Sequence, residues 1–544
     1  MRHLAWAIAL AGGIAACPAH AQIAEPPRYD WSGFYIGAHL GGGLQLSDIA
    51  DPFAPSIYGD TVRTPGPLAG GQAGYNWQYG KTLLGIEADV SWADFFGTNT
   101  CVAYSGFYVS ANCVADVDTY GTFTGRAGWL LGADGGTLIY GKAGGAWLYS
   151  DVEASTNGDP GFPSTSGGGL RFGWTLGAGA ERMLSARWSV RGEYDYLNFG
   201  SGGIATPLGS FQMVPSPDPN LMVNVPSVPT KVSQDAHLFK LGINYRLYEG
   251  APGEIAGTPP PRPISGTTVE IGARYVYGWG RFQKDLGVQG EGLSSLASRL
   301  TYSGMNTTGG ELFARADLPN GIMAKGFIGS GNGGGSLNDE DWGLPFAVFV
   351  PYSNTWSKVD DEIRYGVIDL GYDVWRDQVV RVTPFIGYSQ FHQYMEGYGC
   401  VQLANPNSDC GTPVPVSVFA IAEDDTWHAL RLGLAADIQI APGLTLSADA
   451  AHLPYVRMNG VDDHVLRTLL SPEWANGTGT QLELILAYAI TDQLKIGIGG
   501  RYWSMWTDSG TVDFGGTGIL VPMRFSVEQA ALLFQGSLSF DSEP

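Results

Sequence analysis

Two short motifs in this chain carry side chains able to activate water: Asp339-Glu340-Asp341 and Asp462-Asp463-His464. In extended backbone, side chains alternate between two sides, so Asp339 and Asp341 point the same way, as do Asp462 and His464. Two carboxylates that close repel, and one of them holds a proton or both share the hydrogens of a water. A carboxylate aligned with an imidazole orients the ring and raises its basicity. Set across a barrel mouth, the two pairs are able to hold a water between them. The His–Asp pair would draw off its proton while the carboxylate pair steadies it. The competing readings of such acidic motifs are solvated turns, expected at a net charge of −22, and calcium binding.

Other chemistry has little support. There is no HExxH, no zinc-type cysteine set and no P-loop. Gly329-Ser330-Gly331-Asn332-Gly333-Gly334 formally fits GxGxxG, but the pattern predicts no helix after it, and the glycines read as relief of crowding in a twisted strand. His39, His428 and His452 stand alone. No cofactor or metal is expected.

The elements that must position these motifs are strands. Of 544 residues only 15% are charged, 12% are aromatic and 79 are glycine. The balance of 30 basic against 52 acidic residues argues against nucleic acid as a partner. No run of about 18 apolar residues follows the first 21, and the chain is too apolar to be disordered. Segments of about ten residues alternate apolar with small or polar side chains, the signature of transmembrane β-barrels. Eight strands are expected near 32–43, 69–79, 82–94, 119–131, 136–150, 170–182, 187–198 and 235–248. Ten more are expected near 267–282, 296–317, 321–333, 359–376, 380–397, 424–440, 444–458, 477–491, 494–509 and 524–540.

The fold class is therefore all-β, with two tandem antiparallel transmembrane barrels of eight and then ten strands. Short turns such as Gly80-Lys81 and Ala441-Pro442-Gly443 would be periplasmic, and long loops such as 44–68, 95–118, 151–169 and 199–234 extracellular. Residues 22–248 form the first barrel, 249–266 a proline-rich periplasmic linker and 267–544 the second barrel. A single eighteen-stranded barrel would have to put that proline-rich stretch where every other periplasmic turn is short. Residues 1–21 read as an export signal ending at Ala19-His20-Ala21, with a lipoprotein signal ending at Cys17 as the rival. The remaining cysteines form two close pairs, Cys101/Cys113 and Cys400/Cys410, each read as a disulfide stapling one loop.

Two resemblances add to this reading. Trp31-Ser32-Gly33-Phe34-Tyr35-Ile36-Gly37, Gly70-Gly71-Gln72-Ala73-Gly74-Tyr75-Asn76-Trp77 and the closing Leu241-Gly242-Ile243-Asn244-Tyr245-Arg246 resemble the small outer-membrane surface-antigen barrels of Gram-negative bacteria. That implies an eight-stranded barrel with a filled interior over about residues 30–248 and no shared chemistry. From Ser298-Arg299-Leu300-Thr301-Tyr302, through Gly321 to Gly335, into Asp339-Glu340-Asp341-Trp342 and Asn354-Thr355-Trp356-Ser357, the order and spacing resemble the omptin family of ten-stranded outer-membrane endopeptidases. The resemblance extends over roughly 267–540. It implies catalytic roles for Asp339, Asp341, Asp462 and His464 in extracellular loops, peptide or protein substrates, and outer-membrane lipid and lipopolysaccharide as partners.

Two departures limit what carries over. The position two before Asp462 is Gly460, and Trp279-Gly280-Arg281-Phe282 has no acidic match, so the family's preference for basic substrates does not transfer directly. His392 stands at the lipopolysaccharide-binding arginine, which weakens the case for lipopolysaccharide as an activator. The function expected is an omptin-type endopeptidase at the cell surface. The alternative is a non-catalytic surface barrel acting in adhesion, envelope integrity or small-solute passage.

Overall fold

The computed structural model describes residues 29–53, 60–104, 109–132, 134–157, 164–212, 222–247, 266–344, 348–376, 379–406 and 408–542. The export signal, Cys17 and the linker core at 248–265 lie outside the described residues. Because lipid offers backbone groups no partners, each strand must be hydrogen-bonded on both edges, and closure achieves that.

The first ring contains β1 (Gly33–Ile49), β2 (Thr61–Tyr79), β3 (Thr82–Tyr104), β4 (Val109–Leu131), β5 (Thr137–Thr156), β6 (Thr165–Met183) and β7 (Trp188–Ala205). A small separate hairpin, β8 (Gly209–Gln212) with β9 (Met222–Val225), precedes β10 (Pro229–Arg246), which pairs with both β1 and β7 to close the barrel. The second ring contains β11 (Thr268–Val288), β12 (Gly292–Asp317), β13 (Ile322–Leu344), β14 (Val348–Tyr372), the two-residue β15 (Trp375–Arg376), β16 (Val380–Gln402), β17 (Val414–Ala441), β18 (Leu444–His464), β19 (Leu469–Ala489), β20 (Leu494–Asp513) and β21 (Leu520–Asp541). Pairing of β11 with β21 and of β14 with β16 closes it with ten long strands.

The expected loops need correction. Strand pairing continues through much of 44–68 and 95–118, because β1 runs to Ile49 and β3 to Tyr104. The Asp339/Asp341 and Asp462/His464 motifs, expected in extracellular loops, lie on β13 and at the end of β18. Backbone that leaves the membrane still has donors and acceptors to satisfy, and extending the ladder satisfies them. Gly333 shows why β13 needs glycine: a Cβ there would run into the Asn306 carbonyl of the neighbouring strand. Both cysteine pairs are disulfide-bonded, Cys101–Cys113 across β3 and β4 and Cys400, near the end of β16, to Cys410 in the segment that follows.

Large apolar side chains such as Phe34, Leu84, Phe172, Leu312 and Ile368 point outward from the two rings. The first lumen is filled with paired charge. Lys240 bonds Asp89 at 2.9 Å and Asp195 at 3.0 Å, Lys142 bonds Glu193 at 2.8 Å, and Arg126 bonds Glu181 at 3.2 Å. The second lumen is layered. A polar cavity of about 430 Å³, lined by residues such as Arg274, Lys325, Arg431 and Glu483, lies towards the short-turn end. Above it, Phe282, Tyr302, Phe391, Trp427 and Phe525 pack into an apolar floor. Ring centroids there lie 5.6 Å apart for Phe282–Tyr302 and 6.2 Å for Trp427–Phe525.

The barrels touch along their outer walls. Leu241 packs on Ala448 and Ala450, and Leu184 and Val190 meet Val380, Val382 and Ile438. Nearer the open end, Arg63 grips Glu528 with three hydrogen bonds, of 2.9, 3.2 and 2.8 Å.

Removing one member of the first lumen's network isolates its partners. Lys240→Ala leaves Asp89 and Asp195 each short of a cation and is expected to destabilise the first barrel by about 3–5 kcal/mol. The gel-shift melting temperature of the folded band reads this; an unchanged midpoint would show that the network is not stabilising.

Candidate active site

Strand alternation decides which way each side chain of the site points. On β13, Asp339 and Asp341 face the lumen, while Glu340 between them faces outward. On β18, Asp462 and His464 share the lumen face, and Asp462 Oδ2 accepts a hydrogen bond from His464 Nε2 at 3.2 Å. In the ring, β13 and β18 lie four strands apart by way of β14, β16 and β17, so the two motifs face each other across the mouth. Asp339 is close enough to Asp341, Asp462 and His464 for each to shift its ionisation. Asp462 is buried, whereas Asp339, Asp341 and His464 remain partly open to the mouth. Oδ1 of Asp339 and Oδ1 of Asp462 have no hydrogen-bond partner among the described residues.

The electrostatics follow from the apolar floor below. Burial, reinforced by the Asp341 charge, raises the Asp339 carboxyl well above its ordinary value, and burial raises Asp341 too. The pair therefore keeps a proton near neutral pH. Burial opposes charge on Asp462, but His464 and Lys284 outweigh it and hold that carboxylate well below the usual range. Burial by itself would lower the His464 pKa. The Asp462 carboxylate, with Asp339 behind it, reverses that and lifts the imidazole from 6.5 to about 8. By linkage, this ion pair contributes stability that is complete below pH 6.5 and lost as pH rises through about 8.

Sequence reasoning missed the layer beneath the dyad. Lys284, reaching from β11 on the far side of the ring, bonds Asp462 Oδ2 at 2.7 Å, Glu423 Oε2 at 2.7 Å and Glu473 Oε1 at 3.0 Å. Glu423, Asp425 and Glu473 bring one carboxylate oxygen each to within 4.8 Å of the others, a set able to hold a metal ion. The Lys284 ammonium already bonds two of them, Glu423 and Glu473. Burial raises the pKa of all three acids, most steeply for Glu423 and Asp425. The Glu423-x-Asp425 alternation on β17 was a legible signal for two lumen carboxylates. A Cβ on Gly460 would collide with Asp425 Oδ1, so the acid absent from that position on β18 is replaced in space by one on β17.

Two further features bear on the rim. Arg467, in the short 3-10 turn Val465–Arg467, pairs with Asp409 in the Cys400–Cys410 segment and sits near enough to the Asp pair to be affected by its charge. His392, by contrast, lies on the outer wall and bonds Asp424 Oδ1 at 2.9 Å.

Comparison with known proteins divides the chain as its two rings do. Residues 7–246 match the outer membrane protein beta-barrel domain, and residues 315–513 match the Omptin family. The 31 kDa outer-membrane immunogenic protein of Brucella melitensis is 29% identical over 251 residues, covering 44% of this chain and 93% of that protein. The 22 kDa outer membrane protein of Rhizobium leguminosarum is 29% identical over 186 residues, covering 34% of this chain and 72% of that protein. Among solved structures, the outer membrane protease OmpT from Escherichia coli aligns with 51% of this chain and 97% of its own, at 11% identity and a TM-score of 0.42.

Lys284 lowers the His464 pKa through its charge. Lys284→Met removes that charge, so the His464 midpoint is expected to move above its value of about 8. Titration of isotope-labelled histidine by NMR in the full-length protein measures it; a midpoint that falls would contradict the electrostatic account.

Proposed function

Because the chain joins an outer membrane β-barrel domain to an Omptin family domain in the cell outer membrane, we propose that its second barrel is an endopeptidase acting at the cell surface. The observation that carries this reading is the Asp462–His464 hydrogen bond opposite Asp339 and Asp341, inside the stretch that matches the Omptin family. A water held between the two pairs attacks the scissile carbonyl carbon. With Nε2–H donating to Asp462, the proton goes to His464 Nδ1, and the imidazolium then protonates the leaving amine. Sharing a proton, Asp339 and Asp341 both donate to and accept from the water and hold it for attack. No serine or cysteine nucleophile is needed, so no acyl-enzyme forms. The apolar floor raises the effect of each charge at the mouth by excluding water below it.

Lysine or arginine preference is not part of this proposal, since Lys284 already occupies the nearby carboxylates. Lipopolysaccharide is retained only as an additive to be included in the assay, because His392 is engaged with Asp424 on the outer wall. The layered second lumen and the ion-filled first one argue against small-solute passage.

The test is cleavage of a mixed peptide library by the full-length protein, with and without lipopolysaccharide. His464→Ala is expected to lower turnover by about 10²–10⁴-fold, and Asp339→Ala comparably. Equal turnover in all three proteins would remove the catalytic role, and no turnover in the wild type would favour a non-catalytic surface barrel.

The same mechanism fixes a pH dependence. His464 must be neutral to take the proton while the Asp pair must keep its own, so with His464 at about 8 and Asp339 at about 7 kcat is expected to trace a bell whose optimum lies between the two values. A rate that stays flat across both values would exclude this assignment of roles. Chelators are expected to leave turnover unchanged.

A further inference from the structure

Glu340 faces away from the lumen, yet it is 1% exposed. The first barrel covers it. Ser110 Oγ donates to Glu340 Oε1 at 2.9 Å and Thr100 Oγ1 donates to Oε2, while Tyr352 and Asn354 of the second barrel complete the shell. Thr100 and Ser110 sit on β3 and β4 in the hairpin clamped by Cys101–Cys113. Next to Glu340, Trp342 Nε1 donates to the same Ser110 Oγ at 3.2 Å.

The contact continues onto the neighbouring strand. Arg299 is the cross-strand partner of Glu340 and is fully buried. It donates to Asn112 Oδ1 at 2.7 Å, Thr98 Oγ1 at 3.1 Å and Thr100 Oγ1 at 3.2 Å, and its Nε bonds Asp285 at 2.6 Å. A buried carboxylate and guanidinium that lose such partners are costly, so these hydrogen bonds fix geometry strongly. Glu340 is the residue between Asp339 and Asp341. Whatever fixes Glu340 from outside fixes the two aspartates inside, because they share one short piece of backbone.

We propose that the first barrel positions the Asp pair of the second: Thr100 and Ser110 act as positioning residues through Glu340, holding β13 so that Asp339 and Asp341 stay aligned with the Asp462–His464 dyad. This rests on the endopeptidase reading for its effect on rate, but not for its effect on β13. The role given to the first barrel is then mechanical. Its own lumen is filled, and what it contributes is a rigid polar face.

The full-length protein with Thr100→Val and Ser110→Ala together removes both hydroxyls at nearly constant shape. Backbone hydrogen–deuterium exchange is expected to speed up over 336–344 and to stay unchanged over the strands of the second barrel that do not touch Glu340 or Arg299. A kcat about tenfold or more lower is expected, with KM within about twofold, since small misplacements of catalytic groups are expensive in rate. Thr100→Ser, which keeps a hydroxyl, should restore both readouts in the Ser110 background. Arg63→Gln, which breaks the separate contact to Glu528, should leave exchange over 336–344 unchanged. Exchange and kcat in the double variant indistinguishable from wild type would overturn the proposal. If the wild type cleaves nothing, the endopeptidase reading fails separately, and unchanged exchange over 336–344 would still overturn the positioning role.

Discussion

Each strand of a closed barrel presents alternate side chains to two different environments, and its backbone cannot slip by one residue without exchanging all of them. That constraint governs β13. Its Asp339 and Asp341 enter the mouth of the second barrel, and Glu340 between them leaves it for the wall of the first. A single stretch of backbone thus belongs both to the candidate site and to the contact between barrels. Pairing with Arg299 and Asn354 on either side locks the register of that stretch.

The electrostatics of the site depend on what lies under it. An apolar floor of aromatic and methionine side chains separates the mouth from the polar cavity below. Carboxylates gathered just above such a floor lose hydration, so they either take up a proton or find a cation. Both outcomes occur. Asp339 and Asp341 are raised by burial, while Asp462 is held ionised by His464 and Lys284. The dyad and the pair are thereby driven to different protonation states by their surroundings, which suits one to accept a proton and the other to hold a water.

The two barrels solve the same problem of filling a lumen in different ways. The first interlocks Lys240, Lys142, Arg126 and Arg191 with five carboxylates from several strands. The second concentrates its charges in layers above and below an apolar plug. Between them, the outer walls meet through apolar contacts lower down and hydrogen-bonded polar groups near the open end. Polar wall residues such as Arg299 and Glu340 are tolerable in a buried contact because the first barrel's Asn112 and Ser110 meet them with hydrogen bonds.

Period-two alternation, glycine and aromatic content, and the even strand counts were enough to read two barrels of eight and ten strands, because that pattern is local. The Asp339/Asp341 and Asp462/His464 spacings were likewise legible, since an i, i+2 pair on a strand faces one way whatever the rest of the chain does. Strand lengths beyond the membrane were not, because polar extensions lack the alternation and are held by pairing. Nor was the place of Lys284 beside Asp462, which is set by ring closure bringing β11 opposite β17. Asp425 standing in for the side chain missing at Gly460 required the register between β17 and β18. The burial of Glu340 against Thr100 and Ser110 joins residues 230 and more positions apart on separate barrels. Sequence alone determined which residues share a face; which faces meet was decided by closure and docking, where distant strands become neighbours.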